Sequence, residues 1–225
     1  ALMARNTERL QETAQRIDAN GGQATVHACD IRQQEQVHAA FAAAREAHGP
    51  LHGLIANSGI GGPNKPGPDD RFVELIETNL VGTYFCLRAA QQHLSTGPGQ
   101  RHLVVISSIL GRFGVPAYTG YCASKTALLG LVRALSLEVA SDGVQVNAVC
   151  PGWVDTDMAW EGIDGMAEVM GISRDEAHKI AMQAVPVGRM SQPEHIAGTV
   201  AWLLSADATG VTGQGIDING GAWMC

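Results

Sequence analysis

Long apolar runs are missing from this sequence: no stretch of about eighteen hydrophobic residues occurs in its 225 positions, which excludes a helix that spans a bilayer. Charge is scarce as well. Charged residues make up 16% of the chain, and 15 basic against 22 acidic side chains leave a net charge of −7. A surface that neutralises many phosphates is therefore not expected, which excludes nucleic acid as a partner. So little charge, with 45% hydrophobic residues, also excludes a disordered chain and a long coiled coil. The eight histidines form neither an HExxH pattern nor a Cys/His ligand cluster, so no metal site is expected. Cysteines are scattered and odd in number: Cys29, Cys86, Cys122, Cys150 and Cys225. A chain long enough for one well-buried domain needs no disulfide staples, and a reducing cytoplasm is the expected location. The opening six residues show neither the basic lead nor the cleavage pattern of a secretory signal. Only glycine is plentiful, 27 residues with no collagen period, and it must serve turns and close backbone approaches.

What is present alternates. Residues 2–4 read as the tail of a buried strand, and Thr7 as the cap of a helix that carries Leu10, Ala14 and Ile17 on one face up to Gly21-Gly22. Residues 24–29 alternate as a strand ending at Asp30, and 33–47 form a helix around Val37, Phe41 and Ala44. Short apolar strands follow at 51–56, 103–108 and 144–149, separated by long helices at 71–94 and 117–141. Strand and helix in strict alternation predict right-handed crossovers and a parallel sheet with helices on both faces, in a single domain. In such a sheet ligands lie beyond the carboxyl ends of the strands, so Asp30, Asn57, Ser108 and the segment after Pro151 should line one crevice.

Two residues near that crevice carry chemistry. Tyr121 and Lys125 stand four apart on a predicted helix and share a face. A phenol with its ordinary pKa of about 10 is ionised in only about one molecule per thousand at neutral pH. A fixed ammonium favours the phenolate, and bringing the pKa to about 7 takes about 4 kcal/mol of differential stabilisation. Such a tyrosine exchanges a proton with a carbonyl or alcohol oxygen. Ser107-Ser108 closes the preceding strand, where a hydroxyl can bond the same oxygen. Asn79 lies inside the predicted 71–94 helix, where asparagine is a poor helix former and needs a reason.

Together, Asn57-Ser58-Gly59, Asn79, Ser108, Tyr121-x-x-x-Lys125 and Pro151-Gly152 resemble the classical short-chain dehydrogenase/reductase family in order and spacing, over essentially the whole chain. The resemblance implies a doubly wound α/β fold of the Rossmann type and hydride transfer between a nicotinamide and a carbonyl or secondary alcohol. It implies Tyr121 as general acid/base, Ser108 as the group that polarises the substrate oxygen, and Lys125 as the residue that lowers the tyrosine pKa and holds the nicotinamide ribose. Asn79 would fix a water in a relay from Lys125. Asp30 and Ile31 would contact adenine, Asn57 and Gly59 the adenosine ribose, and Pro151, Gly152, Val154 and Thr156 the nicotinamide amide. Arg5 follows the opening strand, where an acid would select NAD(H) and an arginine can pair with a 2′-phosphate, so NADP(H) is favoured over NAD(H). A surface arginine at the start of a helix is the alternative. Asp155 and Asp157 could suggest a metal, but two carboxylates without further ligands are more often residues at the start of a helix.

The family's glycine-rich turn between first strand and first helix has no counterpart, as if the sequence opened within the second strand. Either the sequence is a fragment of a longer polypeptide, which we expect, or the product is truncated and inactive. Ala56 and Val105 stand where the family carries asparagine. Residues 157–190 are expected to form a substrate lid, in which Met158, Trp160, Met166, Val169 and Met170 either line an apolar pocket or fill the lid's own core. Val115, Tyr118, Trp153 and Met158 are candidate substrate walls beside Ser108. The Val187-Gly188-Arg189 turn and the Gly-Gly-Ala-Trp ending resemble reductases of 3-oxoacyl thioesters and polyketides. The two long helices and the 215–225 segment imply a homodimer or homotetramer. Two further functions remain open: a dinucleotide-binding protein with little catalysis, and an inactive paralogue.

Overall fold

A computed structural model describes residues 1–97 and 99–224; Cys225 and the end of the expected C-terminal contact lie outside the described residues. The strands are β1 (Leu2–Ala4), β2 (Val26–Ala28), β3 (Gly53–Ala56), β4 (Arg101–Ile106), β5 (Val144–Pro151) and β6 (Gly215–Ile218). Helices α1 (Thr7–Ala19), α2 (Gln34–His48), α3 (Phe72–Ile76), α4 (Thr83–His93), α5 (Thr119–Val139), α6 (Asp157–Met170), α7 (Arg174–Gln183) and α8 (Pro193–Leu203) connect them. Every strand pairing is parallel. The ladder is not one continuous sheet: β1 pairs with β2, and β3-β4-β5-β6 form a second sheet. No described strand pairs with both β1 and β3, so the expected single sheet is in two pieces.

Successive residues of β4 and β5 serve opposite faces. Leu103, Val105, Val146, Ala148 and Cys150 pack with α2, α4 and α5 residues such as Phe41, Leu87, Leu128 and Val132. Val104 and Val149 join Val200 and Leu203 of α8 on the other face. Both faces are covered, which is why these strands read as unbroken apolar runs. A third cluster, around Ile163, Ala177 and Met182, holds α6 and α7 together outside the sheet and makes residues 157–190 a packed unit.

Two local expectations change. Asn6, not Thr7, caps α1, accepting from the Arg9 N–H at 3.0 Å, and Thr7 is the first helical residue. The helix expected over 71–94 is interrupted by a π-helical turn, Glu77–Gly82, with Asn79 inside it. Gly82 closes that turn against Ile31: a Cβ there would stand 2.7 Å from Ile31 Cγ1 and 3.1 Å from its carbonyl oxygen. Gly82→Ala is therefore expected to destabilise the protein by about 1–3 kcal/mol, read as a lower urea midpoint.

Candidate active site

Parallel pairing brings the carboxyl ends of β3, β4, β5 and β6 to one side, and the polar segments that follow them meet there. Ser107 and Ser108 leave β4 and enter a 3-10 turn, Ile109–Gly111. Ser107 Oγ donates to the Lys125 carbonyl at 2.8 Å. At Gly111 a Cβ would stand 2.9 Å from the same carbonyl oxygen, so α5 lies flush on this turn. That seating brings Tyr121 opposite Ser108. The Ser108 hydroxyl accepts from the Leu110 N–H at 3.1 Å and stands near enough to the Tyr121 phenol to lower its pKa.

Lys125 is buried, and its Nζ donates to the Ile106 carbonyl at 2.9 Å while lying 5.7 Å from the Tyr121 ring centroid. Burial lowers its pKa to about 8. Burial also pushes the Tyr121 phenol above its ordinary value, and the Ser108 hydroxyl offsets this only in part. The Lys125 ammonium sits over the ring, with the Ile106 carbonyl as a hydrogen-bond partner. A phenol held protonated is suited to giving a proton.

Asn79 is fully buried. Its Oδ1 accepts from the Ile60 N–H at 2.8 Å, and its Nδ2 donates to Ile60 O at 2.9 Å and Ser124 Oγ at 3.1 Å. These bonds give the asparagine its reason: the π-turn aims its amide at an extended backbone segment, a common use of such bulges. Gly59 lies between the groups. A Cβ there would stand 3.1 Å from Asn79 Oδ1 and 3.5 Å from Lys125 Nζ, so the glycine keeps open the space beside the ammonium.

The remaining candidates follow other strand ends. Asn57 is exposed after β3. Pro151 ends β5, and Gly152 lets the chain approach the Asn219 backbone, where a Cβ would stand 2.9 Å from its Cα. The Asp155 N–H donates to the Ser191 carbonyl at 2.9 Å, and the Ser191 N–H to that of Trp153 at 2.9 Å, bracing the Val154 segment. Thr156 Oγ1 donates to Val154 O at 3.2 Å. Asp155 accepts from Trp160 Nε1 at 2.7 Å and Gln192 Nε2 at 3.3 Å, while Asp157 begins α6. In the other sheet, Arg5 is exposed beyond β1, and its charge acts on the Asp30 carboxylate. Asp30 is held below the usual carboxylate range chiefly by Arg32, whose Nη2 donates to Oδ2 at 2.6 Å. Ile31 is buried in the main core.

Of the expected substrate walls, Tyr118 meets the Tyr121 ring edge-on at 6.5 Å, and Val115 begins the turn before it, its carbonyl accepting from the Tyr118 N–H. Met158 is half-exposed and lies over Gly61, where a Cβ would stand 2.9 Å from its sulfur. Trp153, Trp160 and Met166 pack on the lid's own core, whereas Val169 and Met170 are exposed. A cavity of about 530 Å³ lined by Arg101, Val139 and Val144 lies at the amino ends of β4 and β5, away from Ser108. Sequence reasoning missed Arg32 and Asn64, which belong to no local motif, and the Arg112–Asp217 pair (Nη2 to Oδ2, 3.0 Å), which ties β6 to the segment after Ser108.

Comparison with known proteins agrees with this geometry. A family model described as Enoyl-(Acyl carrier protein) reductase matches residues 1–222. The oxidoreductase YgfF of Escherichia coli K12 is 35% identical over 96% of this chain and 86% of its own length. The 3-oxoacyl-[acyl-carrier-protein] reductase FabG of Rickettsia conorii is 32% identical over 97% of this chain and 84% of its own. A crystal structure of an actinorhodin polyketide ketoreductase variant with NADPH superposes with a TM-score of 0.90 at 33% identity, covering 98% of this chain and 85% of that one. With residues 1–222 matched and the fold shared throughout, the chain belongs to the short-chain dehydrogenase/reductase family of oxidoreductases.

Proposed function

We propose that the protein is an NADP(H)-dependent ketoreductase acting on 3-oxoacyl-type or similar apolar ketones, with Tyr121 as proton donor. One observation carries the reading: the Ser108 hydroxyl stands beside the Tyr121 phenol, with the buried Lys125 ammonium over the ring.

The residues present fit a nicotinamide dinucleotide. Gly59 leaves space beside Lys125, a cation placed to hold ribose hydroxyls; the braced Val154–Thr156 segment offers backbone groups to the amide. A bound reduced nicotinamide supplies the hydride to the carbonyl carbon. Ser108 hydrogen-bonds the carbonyl oxygen and orients it. The Tyr121 O–H bond breaks as its proton passes to that oxygen, which leaves an alcohol and a phenolate. Lys125 stabilises the phenolate within a site largely closed to water, where a fixed charge acts strongly. Asn79 holds Ile60, and with it the segment carrying Gly59.

The FabG and actinorhodin relatives bear names of 3-oxoacyl and polyketide reductases, and the second was crystallised with NADPH, which supports both substrate class and cofactor. Arg5, exposed and without an ion-pair partner among the described residues, is the group for the 2′-phosphate. Arg5→Ala is expected to weaken NADPH binding about 10- to 100-fold while NADH binding changes little, read by titration of cofactor fluorescence. Equal losses for both cofactors would remove Arg5 as the discriminator. A panel of 3-oxoacyl thioesters and cyclic ketones, assayed with NADPH, tests the substrate class; turnover of none of them overturns it. Val73, Tyr84 and Leu137 leave apolar surface exposed on α3, α4 and α5, which supports a homodimer or homotetramer.

A further inference from the structure

Helix α5, which carries Tyr121 and Lys125, begins without a cap of its own. Tyr118, the residue before it, makes no side-chain bond to the first turn. The approach is bent as well: Ala117 has φ +66°, a left-handed value that a non-glycine residue keeps only when its surroundings impose it. The missing acceptor arrives from 56 residues upstream. Asn64, buried in the loop between β3 and α3, accepts from the Gly120 N–H through Oδ1 at 2.8 Å. Thr119 Oγ1 lies against the same amide, 3.0 Å from Nδ2 and 3.1 Å from Oδ1. The Asn64 backbone N–H donates to the Ala117 carbonyl at 2.8 Å, so one residue grips both sides of the bend. Nδ2 also donates to Asp70 Oδ1 at 3.0 Å, and that oxygen accepts from the Phe72 N–H at 2.9 Å at the start of α3. Gly120 makes the approach possible, because a Cβ there would stand 3.0 Å from Leu75 Cδ1 and 3.3 Å from Asn64 Oδ1.

We propose that Asn64 is a positioning residue: it caps α5 from across the loop, holds Ala117 in its left-handed conformation, and so fixes the placement at which the first turn presents Tyr121 to Ser108. The inference rests on Tyr121 being the proton donor. A residue before the helix could cap it equally well, but it could not at the same time anchor the Gly59–Asn64 wall. Asn64 does both: its backbone N–H ties the end of that wall to Ala117, while Asn79 and Arg71 hold Ile60 and Gly61 within it.

Asn64→Asp provides the test. It keeps the shape and the Oδ1 acceptor, removes the amide donor, and sets a carboxylate against Asp70. Two carboxylates at this distance share a proton as the pH falls, which restores a donor between them. Lys65, Asp69 and Arg71 border a shallow cavity that Asn64 also lines, and Arg71 is engaged by Glu74 and the Gly61 carbonyl. The wild-type/variant ratio of kcat is expected to be about tenfold at about pH 8 and to fall towards one by about pH 5.5, with NADPH affinity within about twofold throughout. Asn64→Ala is expected to lose about tenfold in kcat at every pH and to speed hydrogen exchange of the Gly120 amide. Wild-type kcat in both variants, even with a lowered Tm, overturns the proposal, as does a ratio for Asn64→Asp that does not change with pH. If Asn64→Ala fails to fold, the pH series on Asn64→Asp decides. Undiminished turnover in Tyr121→Phe would instead sink the underlying reading, whatever the Asn64 variants do.

Discussion

Tyr121→Phe is expected to lose turnover by about a thousandfold while binding NADPH as the wild type does. The substitution removes one oxygen and little else. The ring still meets Tyr118 edge-on, and the Lys125 ammonium still lies over it. Ser108 keeps its bond from the Leu110 N–H. Stability should therefore change by no more than about 1 kcal/mol, the net worth of one partly buried hydrogen bond. What disappears is the proton that the developing alkoxide must receive, and a positioned acid of this kind contributes about 10²- to 10⁴-fold. NADPH titration and thermal melting, run beside the turnover assay, separate this outcome from misfolding. A variant that binds cofactor and turns over within tenfold of wild type would assign the proton to another group.

The second large effect has opposite signs for activity and stability. Lys125 is buried, and its pKa drops from the ordinary 10.5 to about 8 because burial disfavours the charged form. Folding at neutral pH therefore takes a charged lysine out of water with, among the described residues, the Ile106 carbonyl as its hydrogen-bonding compensation. Lys125→Met is expected to abolish most turnover yet to stabilise the fold at pH 7 by about 1–3 kcal/mol, after allowance for the carbonyl left unpaired. The sign with pH follows from the proton count. Between about pH 8 and 10.5 the unfolded chain holds the lysine proton and the folded chain does not, so wild-type stability rises with pH across that window. The advantage of the methionine variant should accordingly shrink from pH 8 upwards, as urea midpoints at several pH values will show. A Lys125→Met protein less stable than wild type at pH 7 would mean that the ammonium is better solvated than its burial indicates.

The sequence announced the α/β alternation because β4 and β5 are buried on both faces and must be apolar at nearly every position. It also marked Ser108, Tyr121 and Lys125, since a four-residue helical spacing and a strand end are local features. The π-turn around Asn79 was not legible: no local pattern distinguishes it, and its stability comes from bonds to Ile60 far along the chain. Asn64 was hidden for the same reason, since its partners Thr119 and Gly120 lie more than fifty residues away. Nor could spacing tell that Lys125 would aim at the Ile106 carbonyl. That depends on burial, which exists only once β4, β5 and α5 have packed. The lid divides the same way: Trp160 and Met166 turned inward and Met158 outward, a choice set by helix packing between α6 and α7.

The central claim is that Ser108 and Tyr121 act on one substrate oxygen. A double-mutant cycle on kcat for NADPH-driven ketone reduction, comparing wild type, Ser108→Ala, Tyr121→Phe and the double variant, tests it most directly. Groups that serve a single transition-state oxygen are not additive, so the double variant should be about as slow as Tyr121→Phe alone. If the two losses multiply in full, the residues act independently and the shared oxygen is contradicted.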